Sequence, residues 1–327
     1  MRAARITELT GPSSITAEDL DAPAPPEDGV VIDVRAAGVC FPDVLLSRGE
    51  YQMKPDPPFT PGCEVAGVVS AVGPRSRYAV GDRVAAFPFL GGFAEQVACA
   101  DVLTFALPDS VGFEAGAALP MNYFTVHFAL VTRGGLRAGE SVLVHGAAGG
   151  IGTAAVQLAK ALGATVYAVV SDDAKAAVAL EAGADETILA DGFLSRVKEL
   201  TGGRGVDVVV DPVGGDRFTD SLRSLATLGR LLVIGFTAGS IPEVKVNRLL
   251  LNNVSVVGVG WGAYWMSRPE FLARQWEDLL PLLNAGALTP VIGQTFTLEQ
   301  TAEAIALLEE RRATGKVLVL PRTQTVE

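Results

Sequence analysis

The run Gly146-Ala-Ala-Gly-Gly-Ile-Gly152 has residue types and a spacing suited to holding a diphosphate. Gly149 and Gly150 let the backbone approach phosphate oxygens with no Cβ in the way. Gly152 lets a following helix pack closely, and the helix opening around Ile151 offers free N–H groups and the positive end of its dipole. A second group of residues bears on which dinucleotide is held. The acidic side chain that binds the ribose 2′-hydroxyl of NAD belongs at the end of the next strand. Val170 stands there, followed by Ser171-Asp-Asp-Ala-Lys175. Ser171 can hydrogen-bond a 2′-phosphate and Lys175 can neutralise it, which predicts NADPH in preference to NADH.

These residues need a strand, a tight turn, a helix and a second strand to position them. Val142–Val144 is a short apolar run of the kind buried on both faces of a sheet. Ile151, Ala155, Leu158, Ala159 and Leu162 recur at spacings of three and four, the period of a helix packed on one face. Gly163 ends that pattern and Thr165–Val170 reads as the second strand. The alternation then continues. Helices are expected at 174–182, 193–200 and 216–225, and strands at 186–189, 206–210, 230–234 and 253–259, which indicates a doubly wound parallel sheet. Residues 1–110 differ: short apolar runs at 2–9, 29–37, 64–72, 82–87 and 92–99 are punctuated by Gly and Pro and read as a folded-over β structure. A long apolar helix is expected over 113–131. After helices from 271 and over 298–311, strands at 289–295 and 315–320 return the chain to the β-rich part.

Composition bounds the function classes. The chain has 327 residues, enough for two cores, and its net charge of −11 argues against nucleic-acid or anionic-membrane partners. Cys40, Cys63 and Cys99 make no disulfide framework and fit a reducing cytoplasm. The opening MRAARITELT has no apolar signal core, and no stretch approaches membrane-spanning length. His127 and His145 have no acidic partner at motif spacing and read as structural, as do Asp43 and Asp211 at turns.

The order and spacing of six segments resemble the zinc-independent quinone oxidoreductase group of the medium-chain dehydrogenase/reductase superfamily. They are Ala37-Gly-Val-Cys-Phe-Pro-Asp43, Pro61-Gly-Cys-Glu-Val-Ala-Gly-Val68, Val80-Gly-Asp-Arg-Val84, the Val142–Gly152 stretch, Asp211-Pro-Val-Gly-Gly215 and Thr314-Gly-Lys-Val317. The resemblance covers nearly the whole chain. It implies a dinucleotide-binding Rossmann domain at 121–264, inserted into a β-rich GroES-like catalytic domain at 1–120 and 265–327, with the active cleft between them. It also implies that Asn122 and Thr125 reach the nicotinamide side and that Ile234-Gly235-Phe236 frames the ring.

Zinc enzymes of this superfamily use Cys, His and Cys as ligands. Cys40 falls at the first position, Cys63 replaces the His, and no cysteine lies near Met121. Cys40, Cys63 and Glu64 are three potential ligands, but sets without His are uncommon at catalytic zinc, so the expectation is no metal, with Cys40 lining the pocket. Without a Lewis acid, the accessible chemistry is hydride delivery to a quinone or enone. Tyr51 matches a pocket tyrosine of related quinone reductases and is the candidate proton or hydrogen-bond donor. Leu45 and Cys40 replace polar pocket residues of the group and make the pocket more apolar. Trp261, Tyr264 and Trp265 are candidates for a substrate wall or an interface. Two alternatives stay open: an enoyl-thioester reductase, and a non-catalytic NADPH-binding protein. The apolar strand at 253–260 reads as a sheet edge, and the superfamily's habit of joining such edges implies a homodimer.

Overall fold

A computed structural model describes residues 1–322 of the chain. The chain opens with β1 (Arg2–Ile6), β2 (Ile15–Asp19), β3 (Gly29–Gly38), α1 (Phe41–Ser47), β4 (Glu64–Val72), β5 (Arg83–Ala86), β6 (Gln96–Ala100) and β7 (Thr104–Ala106). Helices α2 (Phe113–Ala117) and α3 (Pro120–His127) follow, and a π-helical turn at Phe128–Arg133 continues the latter. The expected single helix over 113–131 is therefore broken. Pro120 has no N–H and disfavours helical backbone at the residue before it, so the first helix stops and a new one starts there.

An alternating segment comes next: β8 (Ser141–His145), α4 (Gly150–Ala161), β9 (Thr165–Val170), α5 (Asp173–Glu181), β10 (Glu186–Leu189), α6 (Phe193–Leu200), β11 (Val206–Asp211), α7 (Phe218–Arg223) and β12 (Leu225–Val233). It continues through α8 (Asn247–Asn252), β13 (Ser255–Gly258) and α9 (Trp261–Trp265). The chain closes with α10 (Glu270–Asn284), β14 (Ile292–Thr297), α11 (Thr301–Glu309) and β15 (Lys316–Leu320).

Two compact units result. Among the described residues, the first comprises Met1–Met121, Arg268–Asn284 and residues 292–322; the second comprises Asn122–Ser267 and Ala285–Val291. In the first, a seven-stranded sheet has the order β14-β15-β3-β4-β5-β7, with β6 also paired to β3. Strand β3 is its centre: Val30, Ile32 and Val34 are wholly buried and pack with Val65, Val69, Val84 and Val319 into one core. β15 runs antiparallel to β3 and fixes the C-terminal part of the chain in this sheet.

In the second unit, six parallel strands take the order β10-β9-β8-β11-β12-β13. Val142–Val144 on β8 and Val208–Val210 on β11 are wholly buried, as expected of central strands covered by helices on both faces. The strand order reverses between β8 and β11, and in open α/β sheets ligands bind beyond the strand C-termini at such a point.

Candidate cofactor and active-site residues

Four adjacent strands of the second unit end on one edge, at His145, Val170, Asp211 and Val233. The loops that follow carry the predicted dinucleotide residues. After β8, Gly146 takes a left-handed φ of 58°, and the turn closes with Gly149 N donating to Gly146 O at 3.0 Å. Helix α4 then starts, and its first internal bond runs from Thr153 N to Gly149 O at 2.8 Å. The N–H groups of Gly150, Ile151 and Gly152 precede that bond and point out of the helix start.

The glycines do different work. A Cβ on Gly152 would lie 2.1 Å from Gly146 O, so the fold itself requires glycine there. A Cβ on Gly149 would meet nothing closer than Gly146 O at 3.5 Å, an ordinary contact, and its backbone is extended. The chain makes no demand for glycine at Gly149; the close approach of a diphosphate does. This cradle fits a dinucleotide.

The structure brings Asn122 to the same turn: a Cβ on Gly150 would come within 2.6 Å of Asn122 Nδ2. Thr125 lies one turn further along α3 and is buried, as is Asn122. The loops after β11 and β12 are tied together by Thr237 N to Pro212 O (3.2 Å) and Ala238 N to Val213 O (2.9 Å), which holds Gly235 and Phe236 over the ends of these strands.

Beyond β9, Lys175 Nζ donates to Ser171 Oγ at 3.1 Å, so these two predicted residues meet. Asp172 takes part as well. It caps α5 by accepting from Lys175 N (2.9 Å) and accepts from Ser171 Oγ at 2.7 Å. The Lys175 N–H bond, with the Ser171 hydroxyl, holds the Asp172 carboxyl below its usual range.

His145, at the end of β8, is buried beneath this edge; its Nε2 is 2.8 Å from Ser221 Oγ and its ring meets Phe193 edge-on. Burial pushes its pKa down to about 4. Trp261 and Trp265 are buried against each other, and Trp261 also packs on Phe124. They are core residues of the second unit.

In the first unit the predicted pocket residue Cys40 belongs to a buried polar cluster. The register places Glu64 opposite Gly38 across β3 and β4, and Leu318 opposite Gly38 across β15 and β3. Lys316, two residues before Leu318, falls on the same face of β15. Its ammonium is ion-paired with Glu64 and donates to Cys40 Sγ at 3.1 Å. Cys40 Sγ lies 3.1 Å from Glu64 Oε1 and 3.5 Å from Cys63 Sγ, while Met121 N donates to Glu64 Oε2 at 2.7 Å. A Cβ on Gly38 would lie 2.6 Å from Glu64 Oε1 and 2.7 Å from Lys316 Cε, so glycine makes room for the pair.

Asp43 braces the cluster by accepting from Cys40 N (2.8 Å) and Gly62 N (3.1 Å). Burial raises its carboxyl to about 7 against the pull of those two N–H groups. Burial works against the charge on Lys316, yet Cys40 and Glu64 outweigh it and the ammonium is held more tightly than usual. The Cys63 thiol is pushed well up by its bond to Cys40 and by burial. Tyr51 is half-buried beside this group; burial, then Cys63, Cys40 and Asp43, raise its hydroxyl, which therefore stays a donor. An open groove of about 710 Å³ in the same unit, lined in part by Arg77, Arg83 and Trp276, contains none of the predicted site residues.

Residues 150–284 match the family Zinc-binding dehydrogenase, and residues 26–133 match the Alcohol dehydrogenase GroES-like domain. A Bos taurus protein described as quinone oxidoreductase-like protein 2 is 38% identical, over 97% of this chain and 92% of its own length. The chain belongs to the quinone oxidoreductase group of the medium-chain dehydrogenase/reductase superfamily, a group of oxidoreductases. Solved structures agree with the assignment. A probable oxidoreductase from Mycobacterium abscessus superposes with a TM-score of 0.90 at 43% identity, covering 98% of this chain and 99% of that one. The Escherichia coli quinone oxidoreductase complexed with NADPH does so with 0.89 at 30% identity, covering 98% and 100%.

One matching family is named for zinc, and the residues of this quinone oxidoreductase relative do not fit that ion. Among the described residues no group of three His, Cys, Asp or Glu side chains is arranged to hold a metal. Cys40 and Glu64 instead hold the Lys316 ammonium. Lys316 was not foreseen as a site residue. Its Thr-Gly-Lys-Val motif is visible in the sequence, but nothing there shows that a lysine 276 residues away reaches Cys40.

Proposed function

We propose that this protein is an NADPH-dependent reductase of quinones or α,β-unsaturated carbonyls that works without a metal, as a cytoplasmic homodimer. The observation that carries the reading is the meeting of Ser171 and Lys175 beyond β9, where Val170 leaves no carboxylate for a ribose 2′-hydroxyl. The NADPH present in the Escherichia coli relative supports it. Bound NADPH supplies a hydride to the electron-poor carbon of the acceptor.

The chain's own residues hold and orient the reactants. The Gly149–Gly152 turn and the start of α4 bind the diphosphate. Lys175 and Ser171 turn from Asp172 to the 2′-phosphate. Asn122, Thr125, Gly235 and Phe236 frame the nicotinamide. Negative charge moving onto the acceptor's carbonyl oxygen needs a hydrogen-bond donor, and the phenol of Tyr51 supplies it. The buried thiols of Cys40 and Cys63, beside Tyr51, line the pocket.

The test is NADPH oxidation by the purified protein across a panel of quinones, enones and enoyl thioesters. Turnover of quinones or simple enones is expected. Turnover confined to thioesters would reassign the substrate, and NADPH binding with no turnover of any acceptor would overturn the reading.

A further inference from the structure

The two residues proposed to hold the 2′-phosphate of NADPH already hold an anion of the chain itself. The Asp172 carboxylate uses its two oxygens differently. Oδ1 accepts from Lys175 N at 2.9 Å and so caps α5, a helix of nine residues. Oδ2 accepts from Ser171 Oγ at 2.7 Å and lies 3.9 Å from Lys175 Nζ. Lys175 Nζ in turn donates to Ser171 Oγ at 3.1 Å. A serine hydroxyl has one proton to donate, and that of Ser171 goes to Asp172. Capping alone does not require the charge, because Asn and Ser cap a helix about as well as Asp does.

We propose that Asp172 sets how far this site prefers NADPH over NADH: its carboxylate stands in for the 2′-phosphate at Ser171 and Lys175, competes with it, and keeps the preference small. The bond to Lys175 N keeps the carboxylate in place, since swinging away would cost α5 its cap. Ser171 can donate to a phosphate only by turning its proton from Asp172. Lys175 must then serve two anions, and these repel each other. NADH brings a neutral ribose hydroxyl instead, so every bond of Asp172 survives its binding. The competition therefore falls on NADPH alone. The side chains of Lys175 and Asp172 are 24% and 51% exposed, so water and salt screen the effect and hold it to a modest size. The inference deepens the NADPH reading of this site and rests on it.

The test measures Kd for NADPH and for NADH by nucleotide fluorescence titration of full-length wild type and D172N, at low and at high salt. Asparagine keeps the cap and removes the charge. D172N is expected to bind NADPH roughly threefold to tenfold more tightly than the wild type, with NADH within about twofold. The gain should shrink as salt rises, because it comes from partly exposed charges. A variant that binds NADPH no more tightly than the wild type overturns the proposal. Equal tightening of both nucleotides also overturns it, since that reports a changed α5 and not a lost competitor. If D172N does not fold, D172S, which caps through a hydroxyl, takes its place under the same criteria. Failure of wild type and variant alike to bind NADPH removes the NADPH reading and this inference with it. A wild type that binds NADPH as tightly as the variant removes the inference alone.

Discussion

At the scale of single residues, the proposed preference for NADPH rests on Ser171, Asp172 and Lys175. Lys175 contacts Ser171 at 3.1 Å and lies 3.9 Å from Asp172 Oδ2. A 2′-phosphate carries more charge than that carboxylate and would draw the lysine to itself. Loss of a charge-assisted hydrogen bond of this kind weakens binding by roughly tenfold or more. Lys175→Ala is therefore expected to raise the Kd for NADPH by that factor and to leave NADH binding nearly unchanged, as read by nucleotide fluorescence titration. Equal weakening of both nucleotides would show that Lys175 serves only α5. The placement of the glycine turn, Ser171 and Lys175 beside strand ends was legible in the sequence because each lies within a few residues of such an end. The meeting of Lys316 with Glu64 was not. These two come from strands far apart in the chain, and no local pattern encodes the register that brings β15 beside β3.

At the scale of elements, the parallel strands were legible because their short apolar runs alternate regularly with helix-period segments. Strand β10 and helix α6 fall at the expected residues. Strands β2 and β7 and helices α8 and α9 were not expected. They are three to six residues long, too short to show a period, and pairing or packing rather than propensity creates them. Strand β8 carries a further consequence. His145 at its end is packed between Ser221 on α7 and Phe193 on α6, and its folded pKa of about 4 lies below the ordinary 6.5. The unfolded chain thus binds more protons between these values. The stability that the neutral ring contributes is fully present above about pH 6.5 and is lost as pH falls toward 4, by ~3 kcal/mol in total. Hydrogen exchange of the β8 amides should accelerate across this window in the wild type and much less in His145→Gln. An equal acid response in both would place the sensitivity in other groups.

At the scale of the whole molecule, the question is what covers the far edge of the six-stranded sheet. Strand β13 pairs with β12 on one side only, so it ends the sheet with a row of unpaired backbone groups. Around it the chain exposes large apolar side chains: Leu228, Val246, Leu250 and Leu251 are each more than 70% exposed. Globular chains seldom leave such a set bare. We expect a second copy to meet both needs at once. Antiparallel pairing of two β13 strands about a two-fold axis would satisfy the edge and would bury the α8 leucines against their equivalents, a closed arrangement that adds no further copies. No helix among the described residues is long and apolar enough to cross a membrane, so a bilayer-spanning helix does not account for this surface. Light scattering behind a sizing column is expected to give a mass near twice 34.0 kDa for the wild type. The double variant Leu250→Glu, Leu251→Glu places like charges across the axis and should shift the protein to the single-chain mass while its NADPH affinity changes little, because the residues that hold the nucleotide sit at the ends of β8, β9, β11 and β12. A wild type that runs as one chain at every concentration removes the dimer, and a variant that stays double places the contact on another face.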